Sequence, residues 1–244
     1  MVTIIIANKF VNLKLFKTIK NISFQKFSNK LEIIIINKDK KNNLNYLKTN
    51  FLNLNFVIIN ENDKNISDAF NKGVKIAKNN FLFFMGAGDT FYDDKVLKDI
   101  YKDLTNPKLM MIIGKVNILS EKKSIVSKRF KNKYSLLTRL SIPHQGVFMN
   151  IRYFKMFGHF DTKLKFAMDY DLILRSFKKF QKFKSVDRII CNWRLDGIGK
   201  NKTSKILEEY NYIRKKNNIL NPFLRKLILV YSKIKLNFKT YLKI

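Results

Sequence analysis

The sequence predicts an α/β fold in which a mostly parallel sheet is covered by helices on both faces. Three observations predict it. Short apolar runs alternate with segments of helical spacing through the first half of the chain. The runs are almost continuously apolar, as strands buried on both faces are, rather than alternating in polarity. The 244 residues are 46% hydrophobic, enough for a substantial core in one large domain or two fused halves.

The elements follow in order. Val2–Ala7 is a β-branched strand candidate, and Leu13–Ile22 follows with helical spacing at Phe16, Ile19 and Ile22. Leu31–Ile36 is a second strand, interrupted only by Glu32, and Leu44, Leu47 and Phe51 mark a helical face. Phe56–Ile59 is a third strand. Ile66–Ala77 is an amphipathic helix through Ile66, Ala69, Phe70, Val74 and Ala77. Phe81–Met85 is a fourth, fully apolar strand, and Val96, Leu97, Ile100 and Leu104 form a further helical face. From about Lys115 the pattern is less regular. Lys122–Lys133 reads as a basic surface loop, and Ile151–Phe157 and Tyr170–Phe180 as helices. Phe223–Ile244 repeats apolar residues at Leu224, Leu227, Tyr231, Ile234, Phe238 and Tyr241, with basic residues on other faces. That is a basic amphipathic helix, suited to an anionic membrane surface or to packing on the body of the protein.

The composition narrows the function. There is one cysteine, Cys191, so no intramolecular disulfide forms and a reducing compartment fits. The N-terminus lacks the basic flank of a signal peptide, and no apolar run approaches the length of a membrane span. A cytoplasmic protein, peripheral on the inner face of the cytoplasmic membrane, is expected. The net charge is +31, from 49 Lys and Arg against 18 Asp and Glu. It points to a polyanionic partner. Lys, Asn, Ile and Phe all have A/T-rich codons, so gene composition accounts for part of it. No nucleic-acid module and no basic, aromatic-interleaved platform is present, so no nucleic-acid partner is expected.

In parallel sheets ligands bind at the carboxyl ends of the strands. There the fourth strand breaks into Gly86-Ala87-Gly88-Asp89. Two glycines let the backbone turn sharply and leave space beside a carboxylate. Such a carboxylate suits Mn²⁺ or Mg²⁺, which bind through one or two carboxylates plus substrate phosphates. Closing a turn or capping the helix near Asp93 is the competing role for Asp89.

The unit Asn65–Phe91 carries Asp68-Ala69-Phe70-Asn71-Lys72-Gly73, Ala77 and Phe84-Met85-Gly86-Ala87-Gly88-Asp89. It resembles the family 2 glycosyltransferases of the GT-A fold, in the branch with D-A-x-N-K-G and N-A-G-D type motifs. The resemblance extends over about residues 1–215. Ile142-Pro143-His144-Gln145-Gly146 is similar to an acceptor-side "P-H-Q" segment, and Phe160-Asp161 with Asp169-Tyr170-Asp171-Leu172 to an "F-D … D-Y-D-L" segment. Asn192-Trp193-Arg194 with Gly197 resembles a late "F-R … G-G-x-S" segment, with Gly199 or Lys200 near the place of its serine.

The resemblance implies a Rossmann-like GT-A fold with a basic C-terminal extension, and an inverting transfer of sugar from a nucleoside diphosphate. Asp89 is implied as the metal ligand and Asp169 as the catalytic base; capping the following helix competes for Asp169. Asn37, Asp39, Asp68, Asn71, Lys72 and Arg194 are implied on the donor side, and His144, Gln145 and Trp193 on the acceptor side. A divalent cation is implied as cofactor. The partners are a nucleotide sugar, UDP-linked first, and a lipid-linked or polysaccharide acceptor of the cell envelope, with the C-terminal helix on an anionic membrane. Residues 1–114 are expected to form the donor half, 115–215 the acceptor half and 216–244 the extension. The loop after the second strand departs from the family pattern, with Asn37 and Asn42 where acids are usual, and Gly86 replaces a common Asn or Asp. A weakly active or inactive homologue is the alternative these departures support.

Overall fold

The computed structural model describes residues 2–10, 13–26, 30–39, 43–120, 123–179, 182–194 and 202–241, with side chains omitted from 237 onward. Asn42, Gly197, Gly199 and Lys200, and the side chains of Phe238 and Tyr241, lie outside the described residues.

The expected α/β architecture is found. β1 (Val2–Asn8), β2 (Leu31–Asn37), β3 (Asn55–Asn60) and β4 (Phe81–Gly86) form a parallel block in the order β3-β2-β1-β4. Among the described residues the sheet has nine strands and continues β8-β6-β9-β5. Its second part comprises β5 (Thr90–Phe91), β6 (Met111–Leu119), β8 (Val147–Asn150) and β9 (Phe183–Arg194), with β7 (Ser124–Val126) hairpinned onto β6. β8 runs antiparallel to both β4 and β6, whereas β6 and β9 are parallel.

Successive strand residues point to opposite faces, and each face has its own core. Ile5, Ile34, Leu82 and Phe84 meet α3 (Ile66–Ile76), α6 (Ile151–Phe157) and α7 (Met168–Arg175) on one side. Ile4, Ile6, Ile33, Ile35, Phe83 and Met85 meet α1 (Leu13–Ser23), α2 (Tyr46–Asn50) and α4 (Val96–Asp99) on the other. Between α4 and β6 a further turn, α5 (Tyr101–Leu104), completes that layer. Gly73 allows α3 to approach the sheet closely. A Cβ there would stand 2.3 Å from Ile5 Cγ2.

Polar pairs mark both ends of the central strands. At the amino end, Thr3 Oγ1 donates to Glu32 at 2.5 Å. At the carboxyl end, Asn8, Asn37 and Asn60 lie side by side in register. Asn8 Nδ2 donates to Asn37 Oδ1 and Asn37 Nδ2 to Asn60 Oδ1, each at 2.9 Å.

The chain ends in two packed helices, α8 (Thr203–Lys216) and α9 (Pro222–Tyr241). α8 joins the core through buried Ile213. Ile228, Leu229 and Leu236 of α9 are partly buried, while Phe223, Leu227, Val230, Tyr231 and Ile234 are exposed. No helix among the described residues is long and apolar enough to cross a membrane.

Candidate active site at the carboxyl edge of the sheet

The Gly86–Asp89 turn follows the central strand β4. Gly88 has φ +113°, a conformation open to glycine but strained for other residues. Asp89 is 9% exposed; its Oδ2 accepts the Gly86 N–H at 2.8 Å and its own N–H donates to Gly86 O at 3.1 Å. α1 holds the turn in place. The buried Thr18 hydroxyl donates to Asp89 O at 2.8 Å and accepts the Gly88 N–H at 2.9 Å. Asn21 exchanges two hydrogen bonds with the backbone of Phe91. Nothing in the spacing of the sequence pointed to Thr18 or Asn21, because their partners lie about 70 residues away.

Residues expected on the donor side are heavily engaged with their neighbours. Asn37 is fully buried and donates to Asp39 O at 2.7 Å as well as to Asn60. Asp39 itself is half-buried. Asn65 caps α3 by accepting the Asp68 N–H, and the Asp68 carboxylate accepts the Lys64 N–H in return. Lys72 lies 2.8 Å from Glu61 and also donates to Asn62 O. The Glu61 hydrogen bond holds its pKa above the usual lysine value. Asn71 donates to Phe160 O and accepts the Phe160 N–H, both at 2.9 Å, and Asn65 donates to Thr162 O. The Asn65–Gly73 segment therefore ties α3 to residues 160–162.

The acceptor-side candidates converge on the same edge. β8 pairs antiparallel with β4 (Phe83 opposite Phe148), so the 3₁₀ turn His144–Gly146 that precedes it lies at β4's carboxyl end. Gly146 permits this placement, since a Cβ there would be 2.8 Å from Gly114 O. Gln145 is buried beside it. His144 Nδ1 stands 3.0 Å from Asp169 Oδ2.

Asp169 lies in the first turn of α7, which begins at Met168, two residues earlier than the sequence suggested; Ala167 is the N-cap. Asp169 Oδ1 accepts the Tyr170 N–H at 2.8 Å. Asp171 points away into a buried network with Arg175, Lys216 and Asn217. It is fully buried.

α8 supports this region from outside. The Glu209 carboxylate accepts the backbone N–H groups of Lys165, Phe166 and Ala167 at 2.8, 2.9 and 2.8 Å, at the start of α7. Burial opposes the Lys216 charge, but its hydrogen bond to Asp161 and the nearby Asp171 outweigh this and raise its pKa. Burial, reinforced by the charge of Asp169, pushes the Tyr210 phenol above its ordinary range.

Trp193 and Arg194 end β9. Asn192 pairs with Thr90, so an extension of that antiparallel register would set Trp193 opposite Asp89. Trp193 is half-buried and Arg194 exposed. Cys191, buried on the same strand, has its thiol pushed well up by burial and then by the charge of Asp89. No group of three or more His, Cys, Asp and Glu with metal-binding geometry occurs among the described residues. A single turn-held carboxylate fits a hard cation that draws its other ligands from a bound diphosphate and water.

Residues 3–182 match glycosyl transferase family 2. No curated protein sequence matches significantly. Among solved structures, S. aureus TarS 1-349 in complex with UDP-GlcNAc is similar with a TM-score of 0.69 at 14% identity, over 95% of this chain and 71% of that one. The same TarS fragment in complex with UDP gives a TM-score of 0.68 at 13% identity, over 95% and 70%. The mannosyltransferase PcManGT from Pyrobaculum calidifontis, in complex with GDP-Man and Mn²⁺, gives 0.66 at 13% identity, over 95% and 68%. At these identities the likeness is one of fold.

Proposed function

The chain belongs to glycosyl transferase family 2 and is a glycosyltransferase of the GT-A fold, and from that premise we propose that it transfers a sugar, with inversion, from a nucleoside diphosphate to a lipid-linked or polysaccharide acceptor of the cell envelope. One observation carries the reading. The Asp89 turn and the Asp169–His144 pair occupy the same carboxyl edge of the sheet, although 80 residues separate the two aspartates.

In this reading residues 1–114 bind donor and 115–215 bind acceptor. Asp89 would hold Mn²⁺ or Mg²⁺, which as a Lewis acid neutralises the departing diphosphate. Arg194 contributes positive charge at the same place. The base and ribose lie over the Asn37–Asp39 strand end. Because the Asn37 amide is bonded to its neighbours, its role is to fix that loop. Asp68, Asn71 and Lys72 likewise shape the pocket wall through the contacts described above. Gln145 and Trp193 flank the acceptor. Asp169 supplies the negative charge that allows the acceptor hydroxyl to lose its proton.

The exposed stripe of α9, flanked by Lys226, Lys233 and Lys235, suits an anionic membrane surface. The extension, residues 216–244, would hold the enzyme on the inner face of the cytoplasmic membrane, near such an acceptor. UDP-linked sugars are the first donors to test, because TarS was solved with UDP-GlcNAc.

The test is a panel of UDP- and GDP-sugars with Mn²⁺, read by donor binding and by nucleoside diphosphate release. Asp89→Asn should weaken Mn²⁺-dependent donor binding by at least tenfold. Asp169→Ala should leave donor binding intact and abolish turnover. An unsubstituted protein that binds no donor would refute the proposal.

A further inference from the structure

Seven of the eighteen residues from Lys122 to Arg139 are Lys or Arg, none is acidic, and no acid follows until Asp161. Gene composition scatters lysines along the chain, but it does not clear acids from one stretch. Elsewhere acids sit beside cations, as Glu61 does beside Lys72, Asp103 beside Lys184, and Asp93 and Asp99 beside Arg188. Lys122 lies outside the described residues. Among the described residues Lys123, Lys128, Arg129, Lys131 and Arg139 are all exposed, and none pairs with a carboxylate.

These cations stand on a fixed backbone. β7 is hairpinned onto β6, with the Ser120 N–H donating to Lys123 O and the Ser127 N–H to Val116 O. Arg129 Nη2 donates to Ser185 O at 2.6 Å, which ties the stretch to β9. Farther on, the Tyr170 hydroxyl donates to Leu136 O at 2.6 Å and Arg214 Nη1 to Thr138 O at 3.3 Å. Tyr170 follows Asp169, and the stretch runs on into the turn whose His144 lies 3.0 Å from Asp169. The basic stretch is therefore anchored beside Asp169. Between Lys123 and Lys128, Ile125 and Val126 are 49% and 43% exposed and add a small apolar surface suited to the face of a sugar ring. The one exposed aromatic of the stretch, Tyr134, has the Lys133 ammonium over its ring and meets Phe177 edge-on. No row of rings is offered to stacked bases.

We propose that the surface around Lys123, Lys128, Arg129, Lys131 and Arg139 binds the acceptor, and that this acceptor is a polyanionic glycan with phosphate or carboxylate groups repeated along its chain. The assignment rests on the glycosyl-transfer reading above. Charge complementarity carries it. Exposed cations with no carboxylate of their own, held on a rigid frame, attract a chain of repeated charges, and each contact releases a counterion. A single exposed ion pair contributes little, so a lone phosphate is held weakly and a polymer that meets several cations at once is held well.

The probes are polyphosphate and polygalacturonate as charged chains and dextran as a neutral one, with binding read by isothermal titration over a series of NaCl concentrations. Both charged chains should bind, dextran should not, and affinity should fall steeply with salt. Lys123→Gln, Lys128→Gln and Lys131→Gln together should weaken binding of the charged chains about tenfold and flatten the slope of log K against log[NaCl] by about 2. Tm and UDP affinity should stay unchanged. Lys48→Gln, Lys98→Gln and Lys102→Gln together remove the same charge from exposed positions elsewhere, and should leave binding within about twofold. Equal losses in the two variants would reduce the effect to net charge and overturn the proposal. Tighter binding of single-stranded DNA than of polyphosphate of equal charge would assign the surface to nucleic acid, and loss of phosphatidylglycerol-vesicle binding in the first variant would assign it to a membrane; either overturns the proposal. UDP binding by the unsubstituted protein is measured in parallel. Its absence overturns glycosyl transfer and the acceptor assignment together, whereas UDP binding without binding of either charged chain overturns this proposal alone.

Discussion

Replacing Glu209 with alanine removes one carboxylate and leaves three backbone donors at the start of α7 without their acceptor. The Lys165 N–H is exposed and returns to water at little cost. Those of Phe166 and Ala167 are partly buried. Hydrogen bonds to a charged acceptor contribute about 1.5–3 kcal/mol each, and a negative charge at a helix N-terminus about 0.3–1 kcal/mol. Discounting for partial exposure, Glu209→Ala should cost about 2–4 kcal/mol. For a chain of this size each kcal/mol lowers Tm by about 2–4 °C, so a fall of roughly 4–16 °C is expected. Glu209→Gln keeps one acceptor oxygen and should lose about half as much. In transfer assays kcat should drop several-fold, because the loop leading to Asp169 loosens, while donor affinity stays within twofold. Differential scanning fluorimetry and steady-state kinetics read both. A Tm within 1 °C of the unsubstituted protein, with unchanged kcat, would refute the clamp.

Other outcomes follow from the same geometry. Thr18→Val removes the hydroxyl that bridges Gly88 and Asp89, and should weaken Mn²⁺-dependent donor binding about tenfold with a Tm loss of only a few degrees; isothermal titration reads the first. Gly73→Ala forces a methyl against Ile5 and should cost about 1–3 kcal/mol in urea unfolding. Asp161, half-buried, is held below the usual carboxylate range: burial raises its pKa, but the Lys216 hydrogen bond and charge outweigh that. Its folded value is depressed, so its contribution is present above pH 4 and is lost as pH falls through the folded value. Lys216→Met should flatten that acid limb of a Tm-versus-pH curve. On α9, replacing Leu227, Tyr231 and Ile234 with Glu should reduce binding to phosphatidylglycerol vesicles at least tenfold in a flotation assay, with Tm unchanged, since all three are exposed.

How much of this was legible in the sequence depended on burial. β1 to β4 are buried on both faces and read as apolar runs, so their positions were evident to within a residue or two. β6 and β9 were not, because their register shifts around Gly114 and β9 interleaves Lys184, Asp187 and Arg188 with its apolar residues. The basic stretch expected to be loop contains β7, whose three residues are all exposed and whose two apolar members, Ile125 and Val126, are too few to stand out among the surrounding lysines. At the site, residue types were readable but partnerships were not. His144 and Asp169 were each evident as candidates, yet their contact arises from the chain path across β8, α6 and the loop beyond. Asn71 was evident as a candidate, but the two hydrogen bonds of its amide to the backbone of Phe160 were not. Glu209 and Thr18 carried no local signal.

The polar pairs at the two ends of the central strands bear on how the sheet assembles. Strands such as Thr3-Ile4-Ile5-Ile6, Ile33-Ile34-Ile35-Ile36 and Val57-Ile58-Ile59 are nearly self-similar along their length. Sliding one past its neighbour by two residues would still stack isoleucine on isoleucine, so the hydrophobic core alone discriminates poorly between alignments. The amide row of Asn8, Asn37 and Asn60 closes in only one alignment, and Thr3 with Glu32 closes in the same one. Any slip strands buried amides without partners. These few polar side chains therefore act as a vernier on an otherwise featureless apolar sheet, and set which residues reach its carboxyl edge.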